Sequence, residues 1–377
     1  MIGGQLSWCF SSSTVNAAVT EQGGHLAPVV FGRKKKKIKP YTLPPWSKEK
    51  LSARIPQILQ VLRGDFFCMP FGGNETPYGE EKHLPHGETA NKKWKFKNVN
   101  RQADRVTIHM RMKTKVRDAV VDKMITLVDG HHAVYCRHII AGMSGKMTCG
   151  HHPTVRFPDK PSSGVITTSG IKYGMVSPQQ VENPENGGYS CLQPGMKFER
   201  LNRVQMITGE YTDLSRYPAR RGFEDIVMLV TEPCEPFAWT AVTFPRERYV
   251  WFSLKDPAVL KQTLLWMSNG GRHYAPWNGR HKNVMGMEEL TSYFHYGLAE
   301  SVQQNCINQL GDDTYLEFHP ETPRVINFIT AAVNIPDGFD CVKTIEPGDD
   351  QNSVIITAAS GERITVPMDY DFLKQGK

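Results

Sequence analysis

The chain has 377 residues, 40% of them hydrophobic and 22% charged, and carries a formal net charge of +7. That balance is ordinary for a globular protein. No apolar run approaches the roughly 18 residues of a membrane span, and no nucleic-acid motif or aromatic-interleaved basic surface accompanies the positive charge, so neither a membrane nor a nucleic acid is an expected partner.

The N-terminus, Met-Ile-Gly-Gly-Gln-Leu-Ser-Trp-Cys-Phe, lacks the basic start and apolar stretch of a signal peptide, and a cytoplasmic location is the expectation. A strand signal over residues 17–31 is broken by Gly23-Gly24-His25. The basic run at residues 33–39 reads as a phosphate-binding patch or as an exposed turn guarded by lysine, and the second reading is favoured. After Pro44-Pro45-Trp46, a short helix is expected over residues 47–62, with Ser47 as N-cap and Pro56 limiting or kinking it. From Arg105 the period becomes two: Val106, Ile108, Met110 and Met112 alternate with Thr107, His109 and Arg111. Residues 124–128 and 133–140, joined at Asp129-Gly130, read as a hairpin.

Residues 158–195 are rich in Pro, Gly, Ser and Asn and are expected to form long loops. Strand signals return over 225–231, 238–244 and 249–254, a helix is expected over 290–310, and 353–366 reads as a closing hairpin. No internal repeat, strand–helix alternation or linker-like change of composition interrupts this series. Many short strands separated by turns predict a mainly β protein, one large antiparallel β-sandwich spanning residues 1–377 with a few short helices. The eight cysteines are scattered without a Cys-x-x-Cys pair, so they are expected to be reduced and mostly buried, and no metal site is predicted.

The chain has no phosphate-cradling glycine loop, no dinucleotide fingerprint and no Gly-x-Ser-x-Gly elbow. Adjacent histidines, at 131–132 and 151–152, would face opposite sides of a strand and make poor joint metal ligands. Three distant segments carry chemistry that suits a sugar: Leu84-Pro85-His86-Gly87-Glu88, Gly150-His151-His152-Pro153 and Met287-Glu288-Glu289-Leu290-Thr291. They offer two imidazoles and a carboxylate, enough to move protons on and off a sugar ring without a cofactor.

Several segments, in order, resemble the aldose 1-epimerase (galactose mutarotase) superfamily. These are Gln22-Gly23-Gly24-His25-Leu26, Leu62-Arg63-Gly64-Asp65-Phe66 with Pro70-Phe71-Gly72-Gly73-Asn74, and the His86 turn with Trp94 behind it. The likeness continues through Cys149-Gly150-His151-His152-Pro153, Gly222-Phe223-Glu224-Asp225 and Gly286-Met287-Glu288-Glu289. Thr154 and Val155 depart from it, since a bulkier aromatic pair usually follows the second histidine. The resemblance implies a large β-sandwich and a cofactor-free interconversion of sugar anomers. Glu288 would be the base, His152 the acid and His86 a support near the ring oxygen; Arg63, Asn74 and Asp225 would bind hydroxyls. Trp94 or Trp277 would face the sugar ring, with Arg272 on a rim at 272–281 dense in His, Arg and aromatic residues.

Plainer readings stand beside these. His152 could be a structural turn residue, and Glu288 and Glu289 could be exposed charges opening the late helix. Asp225 could be a solvated strand residue, Arg63 a surface partner of Asp65, and the base could be Glu289, because a one-residue slip reverses the face. The same cleft could serve a silent carbohydrate-binding protein or an enzyme of phosphorylated sugars. A small-molecule sugar is the expected partner of a monomer or homodimer.

Overall fold

The computed structural model describes residues 1–33, 36–350 and 352–376. Of the basic run, Lys34 and Lys35 lie outside the described residues. Arg33 is bonded to the Ser12 carbonyl and Lys36 to the Glu247 carbonyl, so these two members tie loops together.

Two large antiparallel sheets dominate. One runs Lys197–Phe198, Ile171–Val176, Glu224–Thr231, Gln262–Ser268, Val284–Thr291, Cys149–His151 and Phe67–Cys68, and Thr154–Arg156 also pairs with Val284–Thr291. The other has nine strands, from Arg216–Tyr217 through Gly164–Thr168, Ala238–Phe244, Tyr249–Lys255 and Arg324–Asn334 to Ala133–Ala141, Ala119–Val128, Arg105–Thr114 and Lys95–Gln102. Their facing sides share an apolar core that includes Phe67, Ile108, Val121, Trp251, Met287 and Phe328. The outer face of the nine-stranded sheet packs a second core, with Tyr135, Trp239 and Phe252, against the C-terminal sheet of Val342–Pro347, Ser353–Ala358 and Arg363–Pro367.

The expected alternation appears where one face meets solvent: in Arg105–Thr114, Val106, Ile108, Met110 and Met112 are buried while Arg105, Arg111 and Lys113 are exposed. The hairpin forms with Thr126 opposite Tyr135, and the closing hairpin with Thr357 opposite Arg363.

Both expected helices shrink. In the first, only Gln57–Val61 is helical, beginning directly after Pro56, whose ring prevents continuation from upstream. In the second, residues 284–291 are strand, followed by short helices at Leu298–Val302 and Asn308–Leu310. Pairing of Val284–Leu290 with Gln262–Ser268, and of Leu290 and Thr291 with Gly150 and Cys149, keeps the first residues of the expected helix in the strand. The loop-rich stretch also carries two sheet strands, Gly164–Thr168 and Ile171–Val176.

Candidate functional site

The outer face of the smaller sheet forms the floor of a cleft of about 360 Å³, walled by loops and by the helix Gln57–Val61. The expected trio His86, His152 and Glu288 lines it from three places in the chain. His86 sits in a turn with φ 58°, a left-handed conformation uncommon for a residue bearing a side chain. Gly87 follows with φ 74°, where a Cβ would lie 1.9 Å from the Met69 carbonyl oxygen, so the turn needs glycine. His152 follows the strand Cys149–His151, with its backbone N–H bonded to the Phe66 carbonyl and to Asp65 Oδ1. Glu288 lies in the middle of Val284–Thr291.

Strand alternation sorts the adjacent pairs. His152 and Glu288 line the cleft, with His152 Nε2 3.2 Å from Glu288 Oε1. Their neighbours His151 and Glu289 are register partners on the interior side. There Asp65 Oδ2 lies 2.9 Å from His151 Nδ1, while Glu289 pairs with Lys255 at 2.6 Å and accepts from Ser253 and Thr263.

Burial sets the protonation of the cleft. Removal from water pushes the Glu288 carboxyl well above the usual carboxylate range and His152 well below the usual imidazole range. His86 is lowered to about 3 by burial and by His295, and His295 to about 4 by burial and by Arg272. Burial thus favours the uncharged form of the pair, a protonated carboxyl beside a neutral imidazole, in which one proton is shared between two acceptors. The Nδ1 atoms of His86, His152 and His295 are buried without hydrogen-bond partners among the described residues. His152 is itself clamped by stacking on Phe66, 4.4 Å between centroids, and by an edge contact with His86 at 5.1 Å.

Trp277 and Arg272 also line the cleft. The Arg272 guanidinium lies 4.7 Å from the Trp277 ring centroid and 5.4 Å from that of Trp266, and its Nε donates to Glu182 at 2.5 Å.

Four expected binding residues are not brought to the cleft. Arg63 is fully buried and donates to the carbonyls of Val61, Ile2 and Gly3, clamping the N-terminal segment. Asn74 ties its own loop together, donating to the Gly72 and Leu84 carbonyls and accepting from Leu298 N, while its neighbours Gly73 and Glu75 line the cleft. Asp225 faces the sheet's other side and accepts from Cys191 N and Leu192 N. Trp94 is buried, donating to the Thr89 carbonyl.

Sequence reasoning missed Glu224, Trp266, Tyr274 and His295. Glu224, one residue before Asp225 and hence on the opposite face, accepts from Trp266 Nε1 at 3.0 Å, Ser268 Oγ at 3.0 Å and Gly271 N at 3.2 Å. Burial raises its carboxyl to about 7. Tyr274 lies within the aromatic-rich segment already singled out, whereas His295 gave no signal because the late helix was expected to contain it.

No known protein family and no curated protein sequence matches the chain. Solved structures do. A galactose mutarotase-like protein from Clostridium acetobutylicum superposes with a TM-score of 0.57 at 12% identity, covering 89% of this chain and 97% of that one. The fold is galactose mutarotase-like. A galactose mutarotase related enzyme from Lactobacillus acidophilus has the same architecture, with a TM-score of 0.55 at 9% identity over 88% of this chain and 99% of its own. At such identities the mutarotase-like likeness is one of fold. Among the described residues no helix is long and apolar enough to cross a membrane.

Proposed function

We propose that the protein interconverts the anomers of an aldose by acid–base ring opening and closure, with His152 and Glu288 as the proton-transferring pair. The observation that carries this reading is their 3.2 Å approach on the floor of a sugar-sized cleft, with both groups desolvated. The mutarotase-like fold supports it, although fold alone does not establish activity.

The pair's single proton accounts for both directions. When it sits on His152, Glu288 is a carboxylate and can take the proton from the O1 hydroxyl. As C1=O1 forms, the C1–O5 bond breaks; its electrons go to O5, which takes the imidazolium proton. The pair is left as carboxyl and neutral imidazole, the form that burial favours. Rotation about C1–C2 and closure on the other face reverse each transfer, and the proton count is unchanged. A positioned general acid or base contributes about 10²–10⁴-fold. His86 would support the sugar beside the pair, with Trp277 and Arg272 on the wall.

Saturation-transfer NMR on equilibrated glucose, galactose and hexose 6-phosphates tests this directly. Accelerated anomer exchange that disappears in Glu288→Gln is the expected result. Binding without exchange would make the protein a silent carbohydrate-binding module instead.

A further inference from the structure

One wall of the cleft presents only apolar side chains among the described residues. It comes from a continuous stretch that contributes the apolar side chains of Pro56, Ile58, Leu59 and Leu62, and several of the backbone carbonyls there are already engaged. The Leu59 carbonyl accepts from Trp46 Nε1 at 2.7 Å, the Val61 carbonyl from Arg63 Nε at 3.0 Å and the Ile55 carbonyl from Gln60 Nε2 at 2.9 Å. The Arg63 guanidinium, the nearest cation in sequence, is turned to Ile2 and Gly3. The floor continues the apolar surface: Leu264 stands directly opposite Glu288 in the sheet register, and Ile226 opposite Trp266.

The cleft's charge is also balanced without a ligand. Arg272 is the one Arg or Lys on its wall among the described residues, and that guanidinium is held by Glu182 and lies beside Glu224. The histidines are neutral, and Glu75 adds an acid to the lining. An anionic substituent would meet no uncommitted cation.

We propose, building on the anomer-exchange reading, that the site takes an uncharged deoxy sugar, in which a hydrogen replaces one hydroxyl and leaves a methyl or methylene against Ile58, Leu59 and Leu62. A hydroxyl turned to this wall would lose its water without a protein partner, whereas a methyl group would gain apolar contact.

The test pairs glucose, galactose and mannose each with its 2-deoxy and 6-deoxy forms, and adds glucose 6-phosphate. Dissociation constants and anomer exchange are measured on the same samples by ligand-observed and saturation-transfer NMR. At least one deoxy sugar should bind about tenfold or more tightly than its parent, the scale of discrimination set by one group in an apolar pocket, with the phosphate ester weakest. Leu59→Asn, which adds an amide on a half-buried position of the wall, should bring that ratio close to one. Leu59→Ser serves the same purpose if the asparagine variant melts early. Parents binding as tightly as all their deoxy forms, tightest binding of the phosphate ester, or no binding of any sugar would overturn the proposal. A deoxy preference without exchange would sink the anomerase reading alone. Exchange without a deoxy preference would sink this inference alone.

Discussion

Gly286 leaves the space that the Glu288 carboxyl fills: a Cβ at position 286 would lie 2.2 Å from Glu288 Oε1. The two residues share one face of the strand, two positions apart, so the smallest side chain sits beside the reactive one. Gly286→Ala should therefore displace the carboxyl while keeping the strand. Anomer exchange is expected to fall about 10²-fold, nearly as far as in Glu288→Gln, with the melting temperature much less affected. Full exchange activity in Gly286→Ala would remove Glu288 from the mechanism.

The pH profile of exchange should be bell-shaped. Activity needs one proton on the His152–Glu288 pair, so it is lost when a second proton arrives and when the last one leaves. Because burial lowers the imidazole and raises the carboxyl, the acid limb is expected well below pH 6.5 and the alkaline limb well above 4.5. Both limbs belong to the pair as a unit. A profile with a single step at pH 6.5, the value of a solvated imidazole, would contradict the buried pair.

Stability should fall steeply on acidification. Burial lowers His25, His86 and His281 to about 3 and His295 to about 4, and holds His138 and His152 well below the ordinary value. The unfolded chain protonates these groups near pH 6.5, so their contribution is complete above that pH and is lost as pH drops toward 4. Glu224, raised to about 7, Asp225 and Glu288 oppose the trend, since their contribution is present at low pH and lost as pH rises through their folded values. Six imidazoles outweigh three carboxyls, each group changing stability by about 1.4 kcal/mol per pH unit across its window. Urea midpoints between pH 7 and 4.5 measure the slope.

His138 isolates one member of that set. Both its ring nitrogens are buried without partners among the described residues, and it stacks on Phe67 at 3.9 Å. His138→Phe should raise stability at pH 5 by on the order of 1–2 kcal/mol and flatten the acid slope. A destabilised variant with an unchanged slope would show that the imidazole is satisfied.

Arg63 and Asp225 should behave as structural residues. Arg63→Ala frees the Val61, Ile2 and Gly3 carbonyls, and Asp225→Ala leaves the N–H groups of Cys191 and Leu192 unpaired. Each is expected to cost about 2–4 kcal/mol, read by denaturant unfolding. Sugar affinity measured on the folded fraction should change less than twofold or so. A large affinity loss with unchanged stability would return either residue to the binding site.

How much was legible depended on where a residue sits. Alternation marks Arg105–Thr114 because one of its faces meets solvent. It is silent in Val284–Thr291, whose two faces are both buried, one by the cleft and one by the interior. Local sequence there permits a helix, and only cross-strand pairing makes it a strand. Arg63 was legible as an important charge, but two of its three partners, Ile2 and Gly3, lie about sixty residues upstream, where no local pattern connects them.

By itself the sequence determined the β-rich class, the main hairpins and the segments that hold His86, His152 and Glu288, because turn chemistry and short-range periodicity are local properties. Tertiary structure alone decided which of each adjacent pair faces the cleft, His152 over His151 and Glu288 over Glu289. That choice follows from sheet register, a long-range property in which a shift of one residue exchanges the two faces.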